Sequence, residues 1–289
     1  MKLATFTYGG TTRIGKVVDD KIIDLSKAAP SLPTDMISFL AAGDAAMAAA
    51  QKADSADAIA LSDVTLEAPI MKPGKVMAIG LNYGDHVKES GLDTPENQIW
   101  FTKSPTGCVG EGADVLKPAV SDMVDWEAEL VLVVGKRARN VPRDRAHEIV
   151  AGYCCGNDIS VRDWQFHSPQ FTIGKSFDTH GPIGPWLTTS DEVGDPHDLD
   201  IKCLVNGEVM QSSNTQHLIY DCFDQIAQLT QVMTLEPGDI IFTGTPGGVG
   251  IAMKPPRFMK VGDKVTIEIE KLGSITNTLV AEDTKTIIE

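Results

Sequence analysis

The stretch DWEAELVLVV at residues 125–134 decides most of what this sequence predicts. Side chains along a β-strand alternate between its two faces. Glu127 and Glu129 are therefore predicted to lie on one face, and the neighbouring apolar residues Trp126 and Ala128 on the other. Two carboxylates on one face of an apolar strand repel each other and are costly to bury, so they need protonation, cationic partners or a metal ion.

A third acid, Asp158, follows another apolar run in the sequence GNDIS at residues 156–160. Three carboxylates without paired histidine or cysteine ligands are typical of a site for a hard cation, Mg²⁺ or Mn²⁺ rather than Zn²⁺. The alternative for the stretch at 125–134 alone is a pair of solvated glutamates on an edge strand.

Cationic and amide side chains follow these acids. Arg162 and Gln165 come four and seven residues after Asp158, spacings that share one face of a helical turn. Lys175 stands in the glycine-flanked stretch IGKSFD at residues 173–178, which would let its ammonium group reach a ligand; an ordinary surface lysine is the alternative. Three carboxylates, a divalent ion and two cations leave one net positive charge, so the pocket is predicted to bind a small carboxylate.

A histidine and a glutamate occur three residues apart in GLNYGDHVKESG, residues 80–91. His86 and Glu89 would be neighbours on a helical turn, and a carboxylate that holds an imidazole makes it a better general base. Gly84 and Gly91 flank the pair as candidate hinges of a lid. The alternative is a polar surface turn.

The glycine-rich stretch FTGTPGGVG at residues 242–250 has no Gly-Lys-Ser/Thr ending, and Pro246 interrupts the dinucleotide pattern, so we exclude a nucleotide site. Such a loop can bring backbone N–H groups, here around Gly244, close to an oxygen anion, with the Thr245 hydroxyl beside them. Ordinary turn chemistry explains the same residues equally well.

The segments around these motifs predict a β-rich α+β protein with two domains. Residues 2–25 alternate as short antiparallel strands, residues 34–62 are alanine-rich with helical spacing, and prolines follow, which places a boundary near residue 70. We therefore predict a small α/β N-terminal domain at 1–70 and a catalytic domain at 71–289. Short apolar runs with few helices between them characterise the second part; the runs lie at residues 76–79, 99–102, 130–134, 201–205, 240–243 and 265–269, and the helices at 143–150 and 222–233.

The composition excludes several classes of protein. The 289 residues carry 40 acidic and 25 basic side chains, a formal net charge of −15, which opposes binding to nucleic acids or anionic membranes. No apolar stretch approaches the length of a membrane span, and the first residues have no signal-peptide pattern. Five cysteines without a C-x-x-C motif favour a reducing compartment, the cytoplasm.

Five motifs occur in one order along the chain: G-x-N-Y-x-x-H-x-x-E, D-W-E-x-E-L, N-D-x-S-x-R-D-x-Q, G-K-S-F-D and T-G-T-P-x-G-V-G. In this combination the sequence resembles the fumarylacetoacetate hydrolase family over roughly residues 70–285. The resemblance implies a mixed β-roll or distorted barrel, usually dimeric, with a divalent cation near its centre. The first 70 residues resemble the small N-terminal extension of many bacterial members.

The resemblance also implies roles for the residues singled out above. Glu127, Glu129 and Asp158 match the metal ligands, and His86 with Glu89 resembles the lid dyad that activates water. The positions that match substrate and oxyanion contacts are Arg162, Gln165, Lys175 and Thr245.

We therefore expect a Mg²⁺-dependent hydrolase that cleaves the carbon–carbon bond of a 2,4-diketo acid to pyruvate, or a related 2-keto acid, and a carboxylic acid. One alternative keeps the site and changes the reaction, to decarboxylation or tautomerisation of oxaloacetate or isomerisation of a 2-hydroxy-dienedioate. A non-catalytic module that binds acids or metals is the third.

Overall fold

The protein is described here by a computed structural model, over residues 1–91 and 93–288. More of the backbone is strand than helix. The strands are β1 (Lys2–Tyr8), β2 (Thr11–Val18), β3 (Lys21–Asp24), β4 (Ile59–Ala60), β5 (Thr65–Leu66), β6 (Val76–Gly80), β7 (Ile99–Thr102), β8 (Asp114–Lys117), β9 (Val124–Asp125), β10 (Ala128–Val134), β11 (Val150–Asn157), β12 (Ser160–Val161), β13 (Ile183–Thr189), β14 (Asp200–Val205), β15 (Glu208–Asn214), β16 (Ile240–Phe242), β17 (Lys264–Ile269) and β18 (Gly273–Ala281).

The helices are short and lie between the strands. The α-helices are α1 (Leu25–Ala28), α2 (Met36–Ala41), α3 (Gly43–Lys52), α4 (Gly84–Ser90), α5 (Arg162–Gln165), α6 (Thr172–Lys175), α7 (Ser190–Val193) and α8 (Cys222–Val232). Short 3₁₀ helices occupy Leu61–Asp63, Pro105–Gly107, Arg143–Ile149, Thr215–His217 and Gly250–Ala252. Over the described ranges, no helix is both long and apolar enough to cross a membrane.

Two large sheets form the body. The larger has the strand order β4-β3-β2-β1-β13-β11-β10-β16-β6-β7, with β5 beside β1, and the smaller has the order β15-β14-β17-β18-β8. Strands β9 and β12 form a separate pair. The β-rich, mixed α and β architecture predicted from the sequence is confirmed, and within the described part of the chain the sheets do not close into a barrel.

Strand β10 lies between two hydrophobic cores. Leu130 and Leu132 belong to the core beneath the smaller sheet, whereas Val131 and Val133 belong to the core that the N-terminal segments cover. All seven residues of β10 are buried. This explains why residues 130–134 form a continuous apolar run instead of an alternating one.

Residues 1–70 share both a sheet and a core with the rest of the chain. Strand β1 pairs antiparallel with β13, and Leu3 and Phe39 pack in the same cluster as Val131. The domain boundary near residue 70 stays a prediction.

The predicted helix at residues 143–150 differs from the structure. The segment Arg143–Ile149 forms 3₁₀ turns and passes directly into β11, as is common for short connectors. The predicted helix at 222–233 is α8, begun by a capping box in which the Asp221 carboxylate accepts from the Asp224 N–H. The two predicted helices did not include α4 to α7, because these helices are too short to give a periodic signal in the sequence.

Candidate active site

The three predicted carboxylates lie together. One oxygen each from Glu127, Glu129 and Asp158 is within 4.8 Å of the other two, and all three side chains are buried. Their convergence follows from the pairing of β10 with β11, because Ala128 lies opposite Asn157 in that ladder. The Asp158 N–H then donates to the Glu127 carbonyl at 2.9 Å, which places Asp158 beside the end of β10.

The electrostatics of this cluster are uneven. Burial, with the nearby charges of Asp158 and Glu127, raises the pKa of Glu129 well above its usual value. Burial also acts to raise the pKa of Glu127, but Lys175 and Arg162 outweigh it and lower that pKa to about 2. Buried oxygen donors with excess negative charge suit a hard divalent cation, so the residues present fit Mg²⁺ or Mn²⁺.

Lys175 lies between two of these carboxylates. Its Nζ is 2.6 Å from Glu127 Oε2 and 2.9 Å from Asp158 Oδ2. The preceding Gly174 permits this approach, since a Cβ there would lie 2.2 Å from the backbone N of Gln165. The predicted need for glycine beside this lysine therefore has a steric basis. In the structure, the Lys175 ammonium group contacts the acidic cluster.

Arg162 joins the same network from α5. Its Nη1 is 2.7 Å from Glu127 Oε1 and also donates to Gln165 Oε1 at 2.9 Å. The helical turn was predicted to include Asp158, but α5 begins at Arg162, because residues 160–161 form the short strand β12. Asp158 and Arg162 are still connected, because both contact Glu127, but they do not share a helix face.

Two charged residues of this network were not assigned to the site from the sequence alone. Lys103, just after β7, places its Nζ 2.6 Å from Asp158 Oδ1 and is 4% exposed. Asp125 is 2.8 Å from Arg162 Nε through Oδ2, and it accepts from the N–H of Gly250 at 2.7 Å. The strand alternation could have found Asp125, which has the same parity as Glu127. No local pattern marks Lys103.

The predicted His86 and Glu89 pair is present on α4. His86 Nδ1 lies 2.8 Å from Glu89 Oε1, and Glu89 Oε2 accepts from the Gly248 N–H at 2.8 Å. One carboxylate thus holds the imidazole and ties α4 to the glycine-rich loop. The helix ends at Ser90 and is capped by Gly91, whose φ of +67° is the left-handed conformation that favours glycine. The hinge roles of Gly84 and Gly91 stay predictions.

The glycine-rich loop supports the acidic cluster. Gly244 has φ of +105°, and a Cβ there would lie 2.7 Å from the Asn82 Cβ, so the loop requires glycine at this point. Its N–H donates to Glu129 Oε2 at 2.7 Å, and Thr245 Oγ1 accepts from Gln211 Nε2 at 2.8 Å. The Gly244 N–H and the Thr245 hydroxyl thus form hydrogen bonds within the protein. Their contacts with a substrate stay predictions.

A cavity of about 550 Å³ opens onto this network. One side is polar and the other apolar. The polar lining includes His86, Glu89, Glu127, Glu129, Arg162, Gln165, Lys175 and Thr245, and the apolar lining includes Ile79, Phe101, Phe166, Phe171, Ile251 and Met253. The structure therefore brings the predicted base, the predicted ligands Glu127 and Glu129 and the predicted substrate contacts to one place, with Asp158 bonded to Lys175 behind them.

Comparisons with known proteins give the family of this chain. The model of the fumarylacetoacetate (FAA) hydrolase C-terminal family matches residues 75–280. A mitochondrial oxaloacetate tautomerase of Rattus norvegicus is 44% identical over 262 residues, 90% of this chain and 84% of that protein.

Two solved structures extend the comparison. The maleylpyruvate hydrolase of Sphingobium sp. SYK-6, determined with manganese(II) and pyruvate, superimposes with a TM-score of 0.81 at 34% identity, over 98% of this chain and 100% of the other. The 5-carboxymethyl-2-hydroxymuconate delta-isomerase of Mycobacterium smegmatis does so with a TM-score of 0.79 at 33% identity and the same coverage. With a family model and relatives that each span most of its length, this chain belongs to the fumarylacetoacetate hydrolase family.

Proposed function

We propose that the protein is a divalent-metal-dependent enzyme that interconverts the enol and keto forms of oxaloacetate or a closely related 2-oxo acid. The observation that carries the proposal is the buried cluster of three carboxylates on the same cavity as a histidine held by a glutamate. The 44% identity to an oxaloacetate tautomerase supports this reaction over the hydrolysis that the motifs first favoured.

Glu127, Glu129 and Asp158 would hold the ion. Bound there, it would supply Lewis-acid stabilisation to the 1-carboxylate and 2-oxo oxygens of the substrate. We assign Mg²⁺ as the ion, with Mn²⁺ as a substitute, because all three donors are carboxylate oxygens. The manganese in the Sphingobium relative supports a divalent ion without distinguishing the two.

His86 would move the proton at C3 of the substrate. Glu89 accepts from Nδ1, which leaves Nε2 as the basic nitrogen and favours the protonated ring once the proton has been taken. In the direction from enol to ketone, the protonated His86 ring would donate its proton to C3 while the enol O–H proton leaves to solvent, and His86 would then regain a proton from solvent. The contact between Glu89 and Gly248 keeps α4 over the cavity, which limits access of bulk water.

Cleavage of an acylpyruvate is the second candidate, and the size of the cavity favours it. About 550 Å³ with an apolar wall leaves room for an acyl group longer than the oxaloacetate skeleton. In that reaction His86 would deprotonate water for attack on the distal carbonyl, and Lys175 or the loop at Thr245 would stabilise the oxyanion.

We also infer a homodimer in a reducing compartment, the cytoplasm. The dimer is supported by the family resemblance, and the compartment by the thiols of all five cysteines, which are free and lie within the described ranges. Sedimentation analysis of the purified protein tests the dimer, with a monomer as the contradicting result.

One assay separates the reactions. Enol-oxaloacetate is mixed with the enzyme in Mg²⁺, in Mn²⁺ and in chelator, and the decay of enol absorbance is followed while mass spectrometry identifies products. The proposal expects metal-dependent acceleration with oxaloacetate as the sole product. Carbon dioxide and pyruvate would identify a decarboxylase instead, and cleavage of a 2,4-diketo acid panel into two acids would identify the hydrolase.

A further inference from the structure

Within residues 1–91 and 93–288, the cavity lining contains one basic side chain that is not paired with a carboxylate. Its basic lining residues are His86, Arg162, Lys175 and Lys254. The first three each have a carboxylate partner within 2.9 Å. Among the cavity-lining residues within the described ranges, Lys254 is the one basic side chain without an ion pair, and it is exposed at the cavity wall.

The charge of the centre explains what such a cation could do. Four buried carboxylates (Asp125, Glu127, Glu129 and Asp158) face three buried cations (Lys103, Arg162 and Lys175). With a divalent ion in place the network carries one net positive charge. That charge balances one substrate carboxylate, so a second carboxylate on the same substrate needs a further cation.

The backbone that carries Lys254 is fixed to the charged centre. The N–H groups of Gly250 and Ile251 donate to the two oxygens of Asp125 at 2.7 and 3.0 Å, and the same carboxylate holds Arg162. Two prolines directly follow Lys254 and restrict the chain there. The lysine stem is flexible, while its attachment point is held beside the site.

We propose that Lys254 binds the distal carboxylate of the substrate and thereby makes the enzyme prefer 2-oxo dicarboxylates over 2-oxo monocarboxylates. This inference rests on the proposed function, in which the first carboxylate and the 2-oxo oxygen lie at the metal site. The apolar side of the cavity would then contact the carbon atoms between the two carboxylates.

Binding measurements test the inference without turnover. Calorimetry in Mg²⁺ compares 2-oxoglutarate with 2-oxovalerate, five-carbon acids that differ by the distal carboxylate. We expect the wild-type protein to bind the dicarboxylate about 5- to 20-fold more tightly, the range for one solvent-accessible charge-assisted hydrogen bond. Lys254→Gln should abolish this preference and leave 2-oxovalerate binding unchanged. Lys260→Gln, a matched exposed lysine in the same segment, should retain it.

Kinetics give the second readout. Lys254→Gln should lower kcat/KM for oxaloacetate, mainly through KM, and spare acetylpyruvate, which has no distal carboxylate. Equal binding of the two acids by the wild-type protein, or an unchanged preference in Lys254→Gln, would overturn the inference. A wild-type protein that prefers the dicarboxylate but does not tautomerise oxaloacetate would contradict the proposed function and still support the role of Lys254.

Discussion

The centre of the molecule and its N-terminal segments bury opposite kinds of side chain. The N-terminal residues in the core are mostly hydrocarbons such as Leu3, Ile14 and Phe39. Of residues 1–70, Asp24 is the one buried charged side chain, and it pairs with Arg13. The centre buries seven charged side chains, each at most 4% exposed: Lys103, Asp125, Glu127, Glu129, Asp158, Arg162 and Lys175.

The contrast separates stability from chemistry. Burying ion pairs is expensive, and well-packed hydrocarbon of the same volume is commonly as stable or more so. The charges at the centre are therefore best explained by catalysis, whereas the apolar residues of the N-terminal segments supply folding free energy. Substitutions in the two regions should have different consequences, and the predictions below test that difference.

The largest effect is expected at the base. His86→Ala should lower kcat by about 10²- to 10⁴-fold, because the general base is lost, while the free energy of unfolding changes little. Enol decay under saturating metal, together with thermal melting, measures both quantities. His147→Ala, which alters an exposed histidine, is the control and should keep full activity. Full activity in His86→Ala would refute the assigned base.

Lys103→Met tests whether the missed lysine belongs to the network. The substitution leaves Asp158 short of a partner in a buried site, so the free energy of unfolding should fall by about 3–5 kcal/mol in urea denaturation. Lys136→Met breaks the exposed pair with Asp44 and should cost less than about 1 kcal/mol. Equal costs for the two variants would erase the distinction between buried and exposed charge.

Leu3→Ala makes the opposite change, in the hydrocarbon core. Leu3 is a fully buried residue of β1, so truncation should lower the free energy of unfolding by about 3 kcal/mol through lost burial and a new cavity. The folded enzyme should keep its kcat, measured well below the melting temperature. A large fall in kcat without unfolding would mean that the two regions are coupled.

The smallest effect concerns a buried neutral histidine. Burial lowers the pKa of His180 to about 4, against some upward influence of the hydrogen bond to the Leu116 carbonyl and of Asp178, and Lys103 adds to the lowering. An unfolded chain binds the proton near pH 6.5, so this group's stabilisation is complete above that pH and falls as the pH drops toward 4.

His180→Gln measures that contribution. Between pH 7 and pH 5 the wild-type protein should lose about 2 kcal/mol of unfolding free energy more than the variant, determined by urea denaturation at each pH. Parallel pH profiles for the two proteins would contradict the depressed pKa.

Local patterns predicted the elements well where local chemistry determines them. The turns at Gly9-Gly10 and Asp19-Asp20 separate β1, β2 and β3, and the predicted apolar runs coincide with β6, β7, β10, β14, β16 and β17. The three carboxylates were predicted from strand alternation and from the resemblance together, and they do converge.

Long-range contacts account for what the sequence could not predict. The contact of Lys103 with Asp158 depends on how the end of β7 packs against the end of β11. The spacing of residues along the sequence does not predict such packing. The use of the Gly244 N–H by Glu129 likewise depends on tertiary packing. The 3₁₀ form of residues 143–149 escaped because its apolar spacing is the same as that of a short α-helix.

The burial of β10 on both sides has a consequence for redesign of the enzyme. A substitution that enlarges or reshapes this strand must be accommodated by two interiors at once, since Val131 and Leu132 pack in different cores. Laboratory evolution of new substrate preferences should therefore accumulate changes in the segments at residues 80–91 and 244–256, which line the cavity. The strand that carries Glu129 should stay unchanged.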